Sequence, residues 1–272
     1  MPSEHNAFYE LLFEASNEDR LKIISLLIEE PMKMTTLSKR AGIGTQEISR
    51  HISRLTESEI IMREPDGLNQ ITPYGRLVLR QFSGLKFVSK NRHYFGDHLV
   101  DKLPEKFINR LGELKESSYL EDTILVFDHV ERMIKESMEY VYRITDRYLT
   151  SWLPVIDQAL TRGVDYRLLS PEDIVVPPNF KYGTIMTKAR ISNQFQPRSI
   201  PGPNVYLAMS EKEVAALGFP NAKGKMDYYS FSSKDPRFQE WCYDLFNYYW
   251  DRSKPKPRET MSLWGTLEKN ET

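Results

Sequence analysis

Residues 45–58, TQEISRHISRLTES, restrict the possible folds more than any other stretch of this chain. Ile48, Ile52 and Leu55 recur at i, i+4 and i+7, the spacing of one helical stripe. Gln46, Ser49, Arg50, Ser53 and Arg54 fall on the opposite side. Such a helix packs through one face and presents hydrogen-bonding side chains and two cations on the other. Taken alone, an amphipathic helix with arginine on its wet face is most often a solvated surface, so its neighbours must decide its meaning.

The neighbours are ordered. Residues 6–30 read as helix, with Phe8, Leu11, Leu12 and Ala15 on one stripe and Leu21, Ile24, Leu27 and Ile28 on another. Ser16-Asn17 breaks the two, with Asn17 a suitable N-cap, and Pro31 ends the second. Residues 35–41 form a short helix stopped at Gly42, Gly42-Ile43-Gly44 is a tight connector, and Thr45 is a cap for the next helix. Strand-like residues 60–63 and 68–72 flank the turn Pro65-Asp66-Gly67, a short hairpin. Thr72 and Pro73 then cap and open a further helix carrying Leu77, Leu79, Phe82, Leu85 and Val88. Three helices with a short connector, then a hairpin, is the order of a winged helix-turn-helix.

Charge agrees locally and misleads globally. The 272 residues hold 37 basic and 38 acidic side chains, net -1, which by itself argues against nucleic acid. Residues 1–30 hold two basic and seven acidic side chains, whereas residues 31–90 hold ten basic and five acidic, net +5. Phosphate binding needs a local basic surface, not a basic whole.

The run LSKRAGIGTQEISRHISRLTESEIIMREPDGLNQITPYGR resembles the archaeal and bacterial winged-helix regulators of the ArsR-like type. The resemblance implies binding to double-stranded DNA. By position, Thr45, Gln46, Ser49, Arg50 and Arg54 resemble recognition-helix contacts, and Arg63, Asn69 and Gln70 resemble wing contacts. Winged helices of this kind usually read two half-sites, so a homodimer is expected, and the apolar positions Leu77, Phe82, Leu85 and Val88 exceed what a small domain must bury alone. The metal-sensing members need clusters of Cys, or of His with Asp or Glu; none is evident along the sequence, so no metal is expected. A winged helix that binds only protein is the alternative.

Beyond residue 118 the pattern becomes strand and helix in alternation. Strands are expected at 124–127, 147–152, 164–170, 205–209 and 228–232, and helices at 129–145, 154–162 and 236–251. Residues 171–203, rich in proline and polar side chains, read as a long loop. The segments ILVFDHVERMIKE, ALTRGVDYRLLSP and NVYLAMSEKEVAALGFP, followed by DYYSFSSKDPRFQEWCYDLFNYYW, resemble the regulatory domain of the methanogenesis-regulator (FilR1) type, which is related in fold to phospholipase D. The expected fold class is therefore α+β in two domains, a winged helix-turn-helix and an α/β phospholipase D-like domain. Expected boundaries are a winged domain over 1–90, a helical connector over 91–118, an effector or dimerisation domain over 119–253 and a disordered tail over 254–272.

That relation raises the alternative of a phosphoryl-transfer enzyme, whose motif H-x-K-x-x-x-x-D supplies a histidine nucleophile. Aligned on Ser210, the matching positions here are Pro203 and Val205, and none of the five histidines is followed two residues later by lysine. Without an imidazole there is no carrier for the phosphoryl group, so no catalytic residue and no cofactor is expected. Residues 179–210 hold Lys181, Lys188, Arg190 and Arg198. The last three are candidates for a small anionic effector, against the plainer reading of a solvated loop. Cys242 is alone, so no intramolecular disulfide forms; a packed, inert thiol in a reducing cytoplasm is expected. No signal peptide is read in MPSEHNAFYE, and no apolar run is long enough to span a membrane.

Overall fold

Asn17 divides the N-terminal helical stretch as its side chain dictates. In the computed structural model its Oδ1 accepts a hydrogen bond from the Arg20 backbone N–H at 3.0 Å, between helices α1 (Glu4–Ala15) and α2 (Glu18–Glu29). The structure describes residues 4–172, 174, 182–202 and 204–256. It divides into two units, Met1–Ser83 and Gly84–Thr272.

In the first unit, Glu30 is extended ahead of Pro31 and the chain continues into strand β1 (Met32–Lys33) and helix α3 (Met34–Ala41). Gly42 stops α3 with φ of 69°, a left-handed conformation that suits glycine. Helix α4 (Thr45–Glu57) follows, then strands β2 (Ile61–Arg63) and β3 (Leu68–Ile71) and helix α5 (Pro73–Lys90). Gly44, not Thr45, occupies the cap of α4; Thr45 is its first helical residue, and no side chain closes that end. Thr72 caps α5 as expected, its Oγ1 accepting from Gly75 N–H at 2.9 Å. A Cβ on Gly75 would lie 2.2 Å from the Ile60 carbonyl oxygen, so only glycine fits where α5 crosses the wing. Ile23, Ile24, Leu27, Leu37, Ile48, Leu55, Ile61 and Ile71 form one buried core. The hairpin gains an unforeseen third strand: β1 pairs with β3, giving the order β1-β3-β2.

The second unit is an eight-stranded mixed sheet covered on both faces. Its strands are β4 (Ser118–Leu120), β5 (Tyr140–Ile144), β6 (Asp165–Ser170), β7 (Phe195–Ser199), β8 (Tyr206–Ser210), β9 (Val214–Gly218), β10 (Ser230–Ser233) and β11 (Lys254–Pro255). They stand in the order β11-β7-β6-β5-β8-β9-β10-β4, with β5, β6 and β7 parallel and the other pairs antiparallel. The short helices α6 (Arg92–Phe95) and α7 (Glu105–Ile108) and the closing helix α11 (Pro236–Trp250) share a core with Tyr142, Ile144, Leu207 and Met209. Helices α8 (Thr123–Glu136), α9 (Leu153–Thr161) and α10 (Thr184–Ile191) share the other with Val141, Tyr166, Leu168 and Ala208. Odd and even residues of β5 thus serve opposite faces, as the strand period requires.

Residues 124–127 are the first turn of α8, not a strand. Asp122 caps it, accepting from the Ile124 and Leu125 N–H groups at 2.7 and 3.1 Å, and Ile124 and Leu125 point outward. The buried residues Val126, Val130, Met133 and Ile134 follow helical spacing, which the apolar run at 124–127 obscured. The helix expected to reach residue 145 ends at Glu136, and β5 takes its place. Residues 147–152 form a turn and a short 3-10 helix, Thr150–Trp152. The expected loop contains α10 and β7. Pro197 sits inside β7 because its carbonyl can still accept, here from Lys256 N–H at 3.1 Å. The tail expected over 254–272 begins with β11, and the rest of it lies outside the described residues.

The largest correction concerns residues 91–118. They were expected to connect, yet Tyr94, Leu103, Phe107, Leu111 and Leu114 are buried in the core beneath α11. The Phe107 ring meets Trp241 edge-on at 5.5 Å, and Trp241 Nε1–H donates to the Phe107 carbonyl at 3.2 Å. Phe107→Ala is accordingly expected to cost the second unit about 3–5 kcal/mol in a denaturant titration of the full chain. A loss below about 1 kcal/mol, usual for exposed positions, would return this segment to a connector's role.

Candidate nucleic-acid interface

The exposed face of α4 follows from what its other face buries. Ile48, Ile52 and Leu55 enter the first unit's core, which leaves Thr45, Gln46, Ser49 and Arg50 in solvent. Arg50 keeps 69% of its side chain exposed; its nearest acid is Glu47 at 3.8 Å, a spacing worth little in water. Arg63, on β2, is also exposed. These five side chains are exposed.

Three others are engaged within the unit. Arg54 turns back toward α1, where Nε and Nη2 both lie 3.2 Å from Glu14 Oε1 and the guanidinium stands 5.1 Å from the Phe13 ring centre. The second oxygen of Glu14 pairs with Arg20 at 2.9 Å, and Arg20 also bonds the Phe13 and Glu14 carbonyls at 2.8 Å each. Arg20 thus satisfies the open end of α1, and burial pushes its guanidinium below the usual arginine range. Asn69 is buried: it faces the core with Ile71, and its Nδ2 donates to the Met32 carbonyl at 3.1 Å. β1 therefore takes Asn69 away from the wing's surface. Gln70 is half-buried, and its Nε2 donates to Glu64.

The acidic and basic segments also meet. Arg40 on α3 pairs with Glu29 at 2.7 Å and Glu30 at 2.9 Å, while Arg54 pairs with Glu14. Part of the positive charge counted over 31–90 is therefore neutralised by residues 1–30.

Folding also gathers a group invisible along the chain. Asp19, Glu47 and His51 converge with ligand-type atoms within 4.8 Å of one another, His51 Nε2 lying 3.8 Å from Asp19 and 3.9 Å from Glu47. Spacing alone pairs Glu47 with His51 one helical turn apart; Asp19 joins them only through the packing of α2 on α4.

In the second unit, two of the three expected effector cations are engaged by backbone carbonyls. Lys188 is exposed. Arg190 donates to the Lys256 carbonyl at 3.0 Å, and Arg198 donates to the Ser253 carbonyl at 2.7 Å while stacking on Trp250. Both arginines hold the β11 segment against β7. Lys181 and Pro203 lie outside the described residues. Val205 is buried, and Ser210 Oγ accepts from Lys212 N–H at 3.2 Å. His98 and Asp227 meet at 3.0 Å, a pair the sequence did not show. His98 Nδ1 faces the Tyr94 carbonyl at 2.8 Å, so both ring nitrogens are engaged in joining residues 94–98 to 227. Cys242 is fully buried, and burial pushes its thiol well above the ordinary range, consistent with an inert packing residue.

Among the described residues, no helix is long and apolar enough to cross a membrane. Two family models match the chain. Residues 17–62 match the bacterial regulatory protein, arsR family, and residues 125–252 match the middle domain of the methanogenesis regulatory protein FilR1. No curated protein matches. Among solved structures, TrmBL2, an archaeal chromatin protein, is similar at 14% identity and a TM-score of 0.43, covering 88% of this chain and 94% of its own. Nuc from Salmonella typhimurium, a phospholipase D family member, is similar at 13% identity and a TM-score of 0.33, covering 52% and 96%. NucT from Helicobacter pylori stands at 12% and 0.37, covering 52% and 98%. With its first unit matching the arsR family model and its second matching the FilR1 middle domain, the chain is a DNA-binding transcriptional regulator.

Proposed function

We propose that this regulator reads specific sequences by placing α4 in the major groove of double-stranded DNA, with Thr45, Gln46, Ser49 and Arg50 toward the bases. Arg63 reaches the backbone from the wing. The observation that carries this reading is the division of α4: its apolar stripe is sealed in the core and its opposite face is polar, exposed and cationic at Arg50. Arginine suits both tasks at such a surface, the bidentate reading of guanine and the clamping of phosphate. Arg54, Asn69 and Gln70 are left out, because each already serves the protein's own structure.

The regulator acts as a homodimer in this reading. Tyr74, Leu77 and Leu85 lie on one stripe of α5 and remain 44%, 57% and 62% exposed, an unusual display of large apolar side chains on one helix. Phe82 is half-buried and Val88 packs into the second unit's core, so the seam is narrower than the sequence suggested. A ligand held by the second unit would bias the spacing of two DNA-reading heads, a coupling between sites rather than a reaction. Phosphodiester hydrolysis is not part of this function: Val205 and Ser210 cannot supply a phosphate-binding cation or an acid. We place the protein in the cytoplasm, beside its DNA.

Arg50→Ala should weaken specific DNA binding by about 1–3 kcal/mol in a gel-shift titration. Asn69→Ala should instead lower unfolding stability by about 1–2 kcal/mol and leave the affinity of the folded protein unchanged. The reverse pattern would move the reading surface from α4 to the wing. In light scattering the chain should show twice its 31.9 kDa mass at micromolar concentration, and Leu77→Glu should shift it to the monomer. A wild-type monomer would remove α5 as a seam.

A further inference from the structure

His51 is 4% exposed, buried on α4 beside Ile48, Ile52 and Leu55. Both of its ring nitrogens are buried, and neither completes a hydrogen bond. Buried polar groups are almost always paired, because an unmet one keeps the full cost of leaving water. Nε2 faces two carboxylates, Asp19 Oδ2 at 3.8 Å and Glu47 Oε1 at 3.9 Å. These separations are beyond hydrogen-bond reach.

The two carboxylates alone call for no ligand. Each stands in the first turn of its helix, where the dipole favours an acid. The dipole does not account for an unpaired imidazole aimed between them. Neither does an ion pair, since an imidazolium donating to either acid would close to about 2.7–2.9 Å. What the three atoms share is the spacing of ligands around one small cation. They lie within 4.8 Å of one another. Atoms bonded to a tetrahedral ion at about 2.0–2.2 Å stand about 3.3–3.6 Å apart. Asp19 is half-buried and Glu47 is exposed, so the carboxylates can swing the remaining distance while the ring stays fixed. An ion bonded to all three needs no cavity beyond the gap that it bridges.

We propose that Asp19, Glu47 and His51 bind one divalent transition ion of the zinc class. His51 Nε2 supplies the nitrogen ligand, each acid supplies one oxygen, and water takes the fourth position. An imidazole with two carboxylates suits such an ion, whereas magnesium and calcium take oxygen ligands. The ion ties the first turn of α2 to the first two turns of α4, within the first unit. The site forms only when these helices pack, which is why spacing along the chain predicts no metal. It does not depend on the DNA-binding reading.

The test uses the full chain, stripped with EDTA and without DNA, so its failure leaves the DNA-binding reading untouched. Zinc chloride titrated in a calorimeter should bind once per chain. Cobalt(II) should take the same place and show the intense visible bands of a tetrahedral ion. Magnesium in large excess should displace neither. His51→Leu, which keeps the position filled and apolar, should bind neither ion. If that variant does not fold, Asp19→Asn, a near-isosteric change at a half-buried position, should weaken zinc binding about tenfold or more. His93→Gln, at an exposed histidine, should leave it unchanged. In zinc-soaked crystals an anomalous peak should lie about 2.0–2.1 Å from His51 Nε2. The proposal is overturned by a chain that binds no zinc, by binding undiminished in His51→Leu or in Asp19→Asn, or by binding that follows His93 instead. Displacement by magnesium would also overturn it, since that marks a mere acidic cluster.

Discussion

The packing of Ile48, Ile52 and Leu55 into the first unit's core is the constraint on which the proposed DNA-reading surface depends. A helix fixed through one stripe has no freedom to turn, so the identity of its outward residues follows from the identity of its inward ones. Neighbouring elements hold the same geometry. Gly75 lets α5 cross against the Ile60 carbonyl, and Asn69 ties β3 to β1. The buried Glu14–Arg20 pair, with Arg54 added, draws α1 onto the end of α4. This arrangement leaves Arg50 in solvent and withholds Arg54, although the two stand one turn apart on the same side of α4.

Much of the first unit was legible because its signals are local. Asn17, Gly42, Pro65-Asp66-Gly67 and Thr72-Pro73 each act on backbone within a few residues, and each mark falls at or next to an element boundary. The misreadings share one cause, which is pairing over distance. Strand β1 has two residues and exists only by pairing with β3, with Met32 opposite Asn69 and Lys33 opposite Leu68, so nothing local announces it or the burial of Asn69. Arg54 was read as outward because it is; that Glu14, 40 residues earlier, would reach it could not be seen from periodicity.

The second unit shows the same limit more strongly. Residues 124–127 look like a buried strand because four apolar side chains stand together, yet Asp122 begins a helix and two of the four face solvent. Residues 91–118 carry only the weak helical signals of a connector, but Phe107 and Trp241 are 134 residues apart and pack together. Basic residues on the apparent loop suggested an anion site, and folding spends Arg190 and Arg198 on the β11 segment.

The account's central claim is that paired α4 helices read DNA. Its most direct test is to select bound sequences from random duplex DNA and footprint the protein on the winner. Two protected half-sites with related sequence, centred about 10 base pairs or a multiple of that apart, are the predicted result. Selection that enriches no sequence, or a footprint confined to one unrepeated half-site, would contradict it.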